Sequence, residues 1–141
     1  MPKTSFQFLP SERTKQMQEL AKRARMSLKR FANNDIAYDA VGLQLLDEWI
    51  DRHVRQFPRP NQRIQMIWGA FLGEVFRERF NGAWALDKSQ RKPRLGVLCP
   101  REPEGLLFIP VMEQVQNRIQ EGMQASLAFY YTMKGIELKG G

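Results

Sequence analysis

Catalysis usually needs at least two positioned polar groups, such as a nucleophile beside its base or a pair of carboxylates. The chain holds one histidine and one cysteine. His53 falls between Trp49 and Phe57 on the apolar side of a helical pattern, where a packed structural imidazole is expected. No partners at metal-ligand spacing accompany it. Cys99 ends an apolar segment before Pro100, the setting of a buried, inert thiol. A lone cysteine excludes an internal disulfide and a multi-cysteine metal site, and fits a reducing cytoplasm. Phosphate-cradling glycine motifs are missing, because Gly69 and Gly73 lie inside a helical run. The expectation is therefore no catalytic residue, no metal and no cofactor, which points away from an enzyme.

Glu74 is the exception to weigh. It sits in Trp68-Gly69-Ala70-Phe71-Leu72-Gly73-Glu74-Val75-Phe76, a very apolar stretch. A carboxylate buried there without a partner would be costly, so it must bond to a donor or face a cleft. Each mid-helix glycine costs about 1 kcal/mol relative to alanine, so two of them four apart imply a close approach by a backbone or a ring. One reading makes Gly69, Gly73, Glu74, Trp84 and Arg118 a ligand groove with Glu74 at its centre. The other, which we favour, makes Glu74 a hydrogen-bonded anchor to the strand bearing Trp84. No second carboxylate stands at a predictable distance.

Charge is distributed unevenly over the 141 residues, whose formal net charge is +7. Residues 1–33 carry eight Lys/Arg against two Glu, whereas residues 34–57 carry two against five. Lys15, Lys22 and Lys29 recur every seven residues with Arg23 and Arg30 beside them, forming a basic strip. Joined by Arg91 and Lys92, with Lys88 and Arg94 on the same loop, the strip is an electrostatic footprint for nucleic acid. Alternatively it is a solvated face, neutralised in part by Asp47, Glu48 and Asp51 of the next helix. Aromatic residues do not interleave with it, and no helix-turn-helix pattern is evident.

These side chains need elements to hold them. Ser11-Glu12 starts a helix whose stripe is Met17, Leu20, Ala21, Ala24, Leu28 and Phe31, and Asn33-Asn34-Asp35 stops it. Asp39 caps a second helix ended by Pro58 and Pro60; Asn61 caps a third, closed by Asn81-Gly82 with Gly82 in the left-handed position. The third is apolar over so wide an arc that it should be central. Residues 83–86, 95–99 and 106–109 read as three strands, the last two an antiparallel hairpin across Pro103-Glu104-Gly105. Pro110 opens a long final helix that Gly135 ends. The predicted fold is α+β: three N-terminal helices, a three-stranded antiparallel sheet and a long C-terminal helix. One domain over residues 11–135 is expected, with flexible ends at 1–10 and 136–141. Neither a signal peptide nor a membrane span is apparent.

The final helix carries Met112, Met123 and Met133 with Phe129, Tyr130 and Tyr131. Met123, Phe129, Tyr130 and Met133 form the candidate protein interface, because that helix looks apolar on more than one side.

Leu72-Gly73-Glu74, Phe80-Asn81-Gly82-Ala83-Trp84, Phe108-Ile109-Pro110, and a helix bearing Arg118, Gly122, Ser126 and Tyr130-Tyr131 together resemble a small domain of uncharacterised bacterial proteins. The resemblance covers about residues 64–133 and implies an α+β fold and a bacterial source; it assigns no catalytic residue. The functional expectation is a cytoplasmic protein-binding or adaptor domain, with self-association as one form of contact. Nucleic-acid association through the basic first helix is the alternative, and a small-molecule pocket at Glu74 the second.

Overall fold

The computed structural model describes residues 5–141. Over these residues the chain is α+β, with five α-helices and one four-stranded antiparallel sheet. Helix α1 (Ser11–Ala32) buries Met17, Ala21, Ala24 and Leu28 along one stripe and ends at Asn33, whose φ of 52° is left-handed. Helix α2 (Ala40–Gln56) starts at Asp39, whose carboxylate accepts from Gly42 N at 2.9 Å. Helix α3 (Gln62–Arg79) starts at Asn61, whose side chain accepts from Ile64 N at 2.8 Å. Side-chain caps of this kind satisfy donors that the first helical turn leaves open.

Every residue from Trp68 to Phe76 is buried, so α3 is the central helix, with α1 packed along it and the sheet on another side. The left-handed residue after α3 is Asn81, with φ 54°, rather than Gly82. Gly82 N then donates to Arg77 O at 3.1 Å, closing a Schellman-type end. The smallness of Gly82 serves a different need: a β-carbon there would lie 2.5 Å from Val97 Cγ1 and 2.9 Å from Cys99 Sγ.

Strands β1 (Phe6–Phe8), β2 (Ala83–Asp87), β3 (Arg94–Pro100) and β4 (Leu106–Ile109) lie in sequence order across the sheet. Trp84 pairs with Val97, and Val97 with Ile109; these three face the helices and join the core. Alternation turns Ala85, Leu98 and Phe108 to the other face, where Phe6 stacks on Phe108 at 5.5 Å.

Several expectations need correction here. The sheet has four strands, not three, because Phe6–Phe8 adds to the edge of β2. Its main chain is fixed by Leu9 N donating to Trp84 O at 3.1 Å and Lys88 N to Ser5 O at 2.7 Å. That stretch was expected to be flexible; of the expected flexible N-terminus, residues 1–4 lie outside the described residues. The long final helix is two: α4 (Val111–Glu121) and α5 (Leu127–Leu138), joined by a 3-10 turn over Gly122–Ala125. Gly122, at φ 69°, breaks the first, and Ser126 caps the second by accepting from Phe129 N at 3.2 Å. Gly135 does not end α5. It lies within it, where a β-carbon would come 3.1 Å from Phe80 Cζ.

Candidate functional site

Glu74 is 3% exposed and both of its oxygens are engaged. Trp84 Nε1 donates to Oε2 at 2.8 Å, Arg77 Nε to Oε2 at 2.8 Å and Arg77 Nη2 to Oε1 at 3.0 Å. The carboxylate thus ties α3 to β2, and the Arg77 guanidinium is held charged beside it. Gly73 exists because the Trp84 ring lies directly on it: a β-carbon there would collide with Trp84 Cη2. Gly69 is likewise covered, by the sulfur of Met112. The predicted groove is therefore filled by the protein's own side chains.

Arg118 belongs to another centre. It is 1% exposed and donates from Nε to Asp47 Oδ1 at 2.7 Å and from Nη2 to Asp51 Oδ1 at 2.6 Å. Asp47 also accepts from Ser126 Oγ at 2.9 Å, Leu127 N at 3.0 Å and Ala128 N at 3.1 Å. The first turn of α5 is pinned to α2 through this one carboxylate. Asp47 and Asp51 consequently do not neutralise α1, as had been expected. Among the described residues, α1 finds its counter-charges in Glu19, 3.3 Å from Lys22, and Asp35, 3.1 Å from Lys29.

Of the four candidate interface residues, three are turned outward. Met123 is 56%, Phe129 63% and Met133 49% exposed, and Ile136, which the sequence reading omitted, is 52% exposed. Phe129, Met133 and Ile136 are spaced four and three apart, hence on one face of α5. Tyr130 is not part of that face. Its ring packs edge-on to Phe76 at 6.1 Å with Lys134 Nζ over it at 5.8 Å, and burial pushes its phenol pKa up.

His53 stacks against Phe57 at 5.0 Å and meets the Trp68 ring edge-on at 5.3 Å. Trp68 Nε1 is buried without a hydrogen-bond partner. Cys99 is fully buried, and desolvation raises its thiol pKa to about 12, so thiolate chemistry is suppressed. Among the described residues, no three His, Cys, Asp or Glu side chains converge where they could hold a metal ion. Among the described residues no helix is long and apolar enough to cross a membrane.

No family model, curated protein or solved structure matches the chain.

The basic candidates Lys15, Lys22, Arg23, Lys29, Arg30, Arg91 and Lys92 are all exposed. Lys15, Lys22 and Lys29, seven apart, lie along one side of α1 with Arg23 and Arg30 beside them, and Arg91 and Lys92 lie on the β2–β3 loop. Lys15 and Arg23 share a concavity of about 520 Å³ with Arg63 of α3, while Lys29 and Arg30 line another beside Asn33 and Asp35. Lys92 lines instead a larger cleft of about 770 Å³ where the starts of α1 and α3, the β2–β3 loop and α4 meet, together with Arg13, Gln62, Arg94, Glu113 and Gln116. Sequence reasoning missed Arg13, Arg63 and the glutamines. They stand on three helices remote in sequence, and only the packing of α1, α3 and α4 gathers them.

Proposed function

We propose that this protein works by contact rather than by catalysis, as a protein-binding or adaptor domain whose docking surface is the outward face of α5. The observation that carries the reading is the exposed stripe Phe129, Met133 and Ile136, with Met123 at the preceding turn. Three large apolar side chains at helical spacing are the anchors by which one helix engages another or a groove. Methionines among them adapt to a partner's shape. The buried carboxylates support the same reading: Glu74, Asp47 and Asp87 each have their oxygens occupied by the protein's own donors. In this reading the Leu-Gly-Glu and Trp84 pattern that carries the family resemblance is a packing motif.

The test is site-specific crosslinking in the source cell with a photoreactive residue at Phe129 or Met133. A discrete adduct, with another protein or with a second copy of the chain, is expected there, and none from the same residue at Lys139. The pair Phe129→Glu and Met133→Glu should abolish the corresponding complex in sedimentation without lowering thermal stability. A monomer giving no adduct from either position would exclude the reading.

A further inference from the structure

The concavities around the first turn of α3 form one basic trough. Arg63 lines the hollow it shares with Lys15 and Arg23, and its neighbour Gln62 lines the larger cleft with Arg13 and Lys92. Gln65 and Gln116 are common to that cleft and to a third hollow of about 360 Å³ that includes Arg59. We infer that this trough grips the sugar–phosphate backbone of a double-stranded nucleic acid.

Charge is the first ground. Arg13, Lys15, Arg23, Arg59, Arg63 and Lys92 are exposed and make no ion pair among the described residues. The acidic neighbours are mostly spent. Glu19 is held by Lys22 at 3.3 Å and Glu113 by Arg94 at 2.9 Å, which leaves Glu12. Cations gathered in concavities in excess of the carboxylates there, Glu12, Glu19 and Glu113, are the footprint of a phosphate backbone, and glutamine amides add neutral donors to it.

The lining decides the form of nucleic acid. No aromatic side chain lines any of the three hollows. A single strand is held by stacking its bases on rings, so this surface lacks the grip that a single strand needs. A duplex presents its phosphates outward and asks only for positioned cations and donors. The footprint thus runs across α1 and α3 rather than along α1, whose Lys22 and Lys29 are already engaged by Glu19 and Asp35.

The experiment is fluorescence anisotropy with a labelled mixed-sequence DNA duplex of about two helical turns, its single strand, and inorganic polyphosphate as competitor. Binding should weaken with salt at a log–log slope of about −4 to −5, as expected for about five neutralised phosphates. The triple variant Arg13→Glu, Arg63→Glu, Lys92→Glu should bind about 100-fold more weakly while keeping its circular dichroism melt. The variant Arg55→Glu, Arg101→Glu, Lys139→Glu changes net charge equally at exposed sites elsewhere and should lose far less, about threefold. Phe129→Glu should leave duplex affinity unchanged, which separates this surface from the α5 contact. Equal losses in the two triple variants, a preference for the single strand, or displacement by polyphosphate at matched phosphate concentration would each overturn the inference. So would failure to bind the duplex at low salt.

Discussion

Glu74 and Asp47, both buried, anchor this fold across very different distances in the chain. Glu74 reaches Arg77 on its own helix and Trp84 ten residues on. Asp47 reaches Arg118 and the backbone of Leu127 and Ala128, between 71 and 81 residues away. Glu74 fastens neighbours that folding brings together anyway. Asp47 fixes where α5 starts relative to α2, a geometry that local preference does not supply. Their surroundings differ too: Arg77 is about one-third exposed, whereas Arg118 is fully enclosed with its partner. A partly exposed cation that loses its partner can turn to water; an enclosed one cannot.

That difference sets the largest expected effect. Asp47→Ala leaves the enclosed Arg118 to the partly exposed Asp51 and unpairs two backbone N–H groups and the Ser126 hydroxyl. A loss of about 3–5 kcal/mol is expected, read as a fall in urea midpoint. Arg118→Met should cost less, because Asp47 keeps Ser126, Leu127 and Ala128 as donors. If Arg118→Met proved the costlier of the two, the backbone bonds to Asp47 would not be what holds α5.

Glu74→Ala should follow at about 2 kcal/mol, mainly for leaving Trp84 Nε1 buried without an acceptor. Trp84→Phe removes that donor as well, so adding it to Glu74→Ala should cost less than the sum of the two single changes, measured in the same urea series. Strict additivity would mean that the indole and the carboxylate do not act as a pair.

The sequence carried much of this architecture and little of its wiring. Asp39 and Asn61 as caps, and the strands at Ala83, Leu95 and Leu106, were legible because capping chemistry and alternation act over a few residues. That Glu74 ties its helix to the strand bearing Trp84 was legible for the same reason, since only a tight stop separates them; that the Trp84 indole is itself a donor was not. Phe6–Phe8 was not, because three residues carry too little pattern to read as a strand until β2 offers an edge. Nor was Arg118, whose assignment to a groove with Glu74 fails on the acceptors that α2 offers at Asp47 and Asp51. The break at Gly122 was hidden by apolar residues that continue on both sides of it at helical spacing. Tyr130 was assigned outward with Phe129, although adjacent residues on a helix point about 100° apart and only one of the two can share the exposed face.

A third acidic anchor sharpens the contrast at the small end of the scale. Asp87 closes the β2–β3 turn: Oδ2 accepts from Arg94 Nη2 at 2.5 Å and Nε at 3.1 Å, and Oδ1 from Ser89 N at 2.9 Å. Arg94 beside it, with the Ser89 amide, lowers its pKa from 3.8 to about 2. A carboxyl whose folded-state pKa lies below its unfolded value stabilises the fold fully above the unfolded value. That contribution fades as pH falls from there toward the folded one. Wild type should therefore exceed Asp87→Asn in urea midpoint by a constant margin near neutrality, and the margin should close between about pH 4 and pH 2. The effect should be smaller than that of Glu74→Ala, because Arg94 keeps Glu113 as a second partner and the asparagine oxygen can still accept from Ser89 N. A margin unchanged down to pH 2 would mean that Asp87 acts as a hydrogen-bond acceptor alone. The ion pair with Arg94 would then contribute nothing to holding the turn.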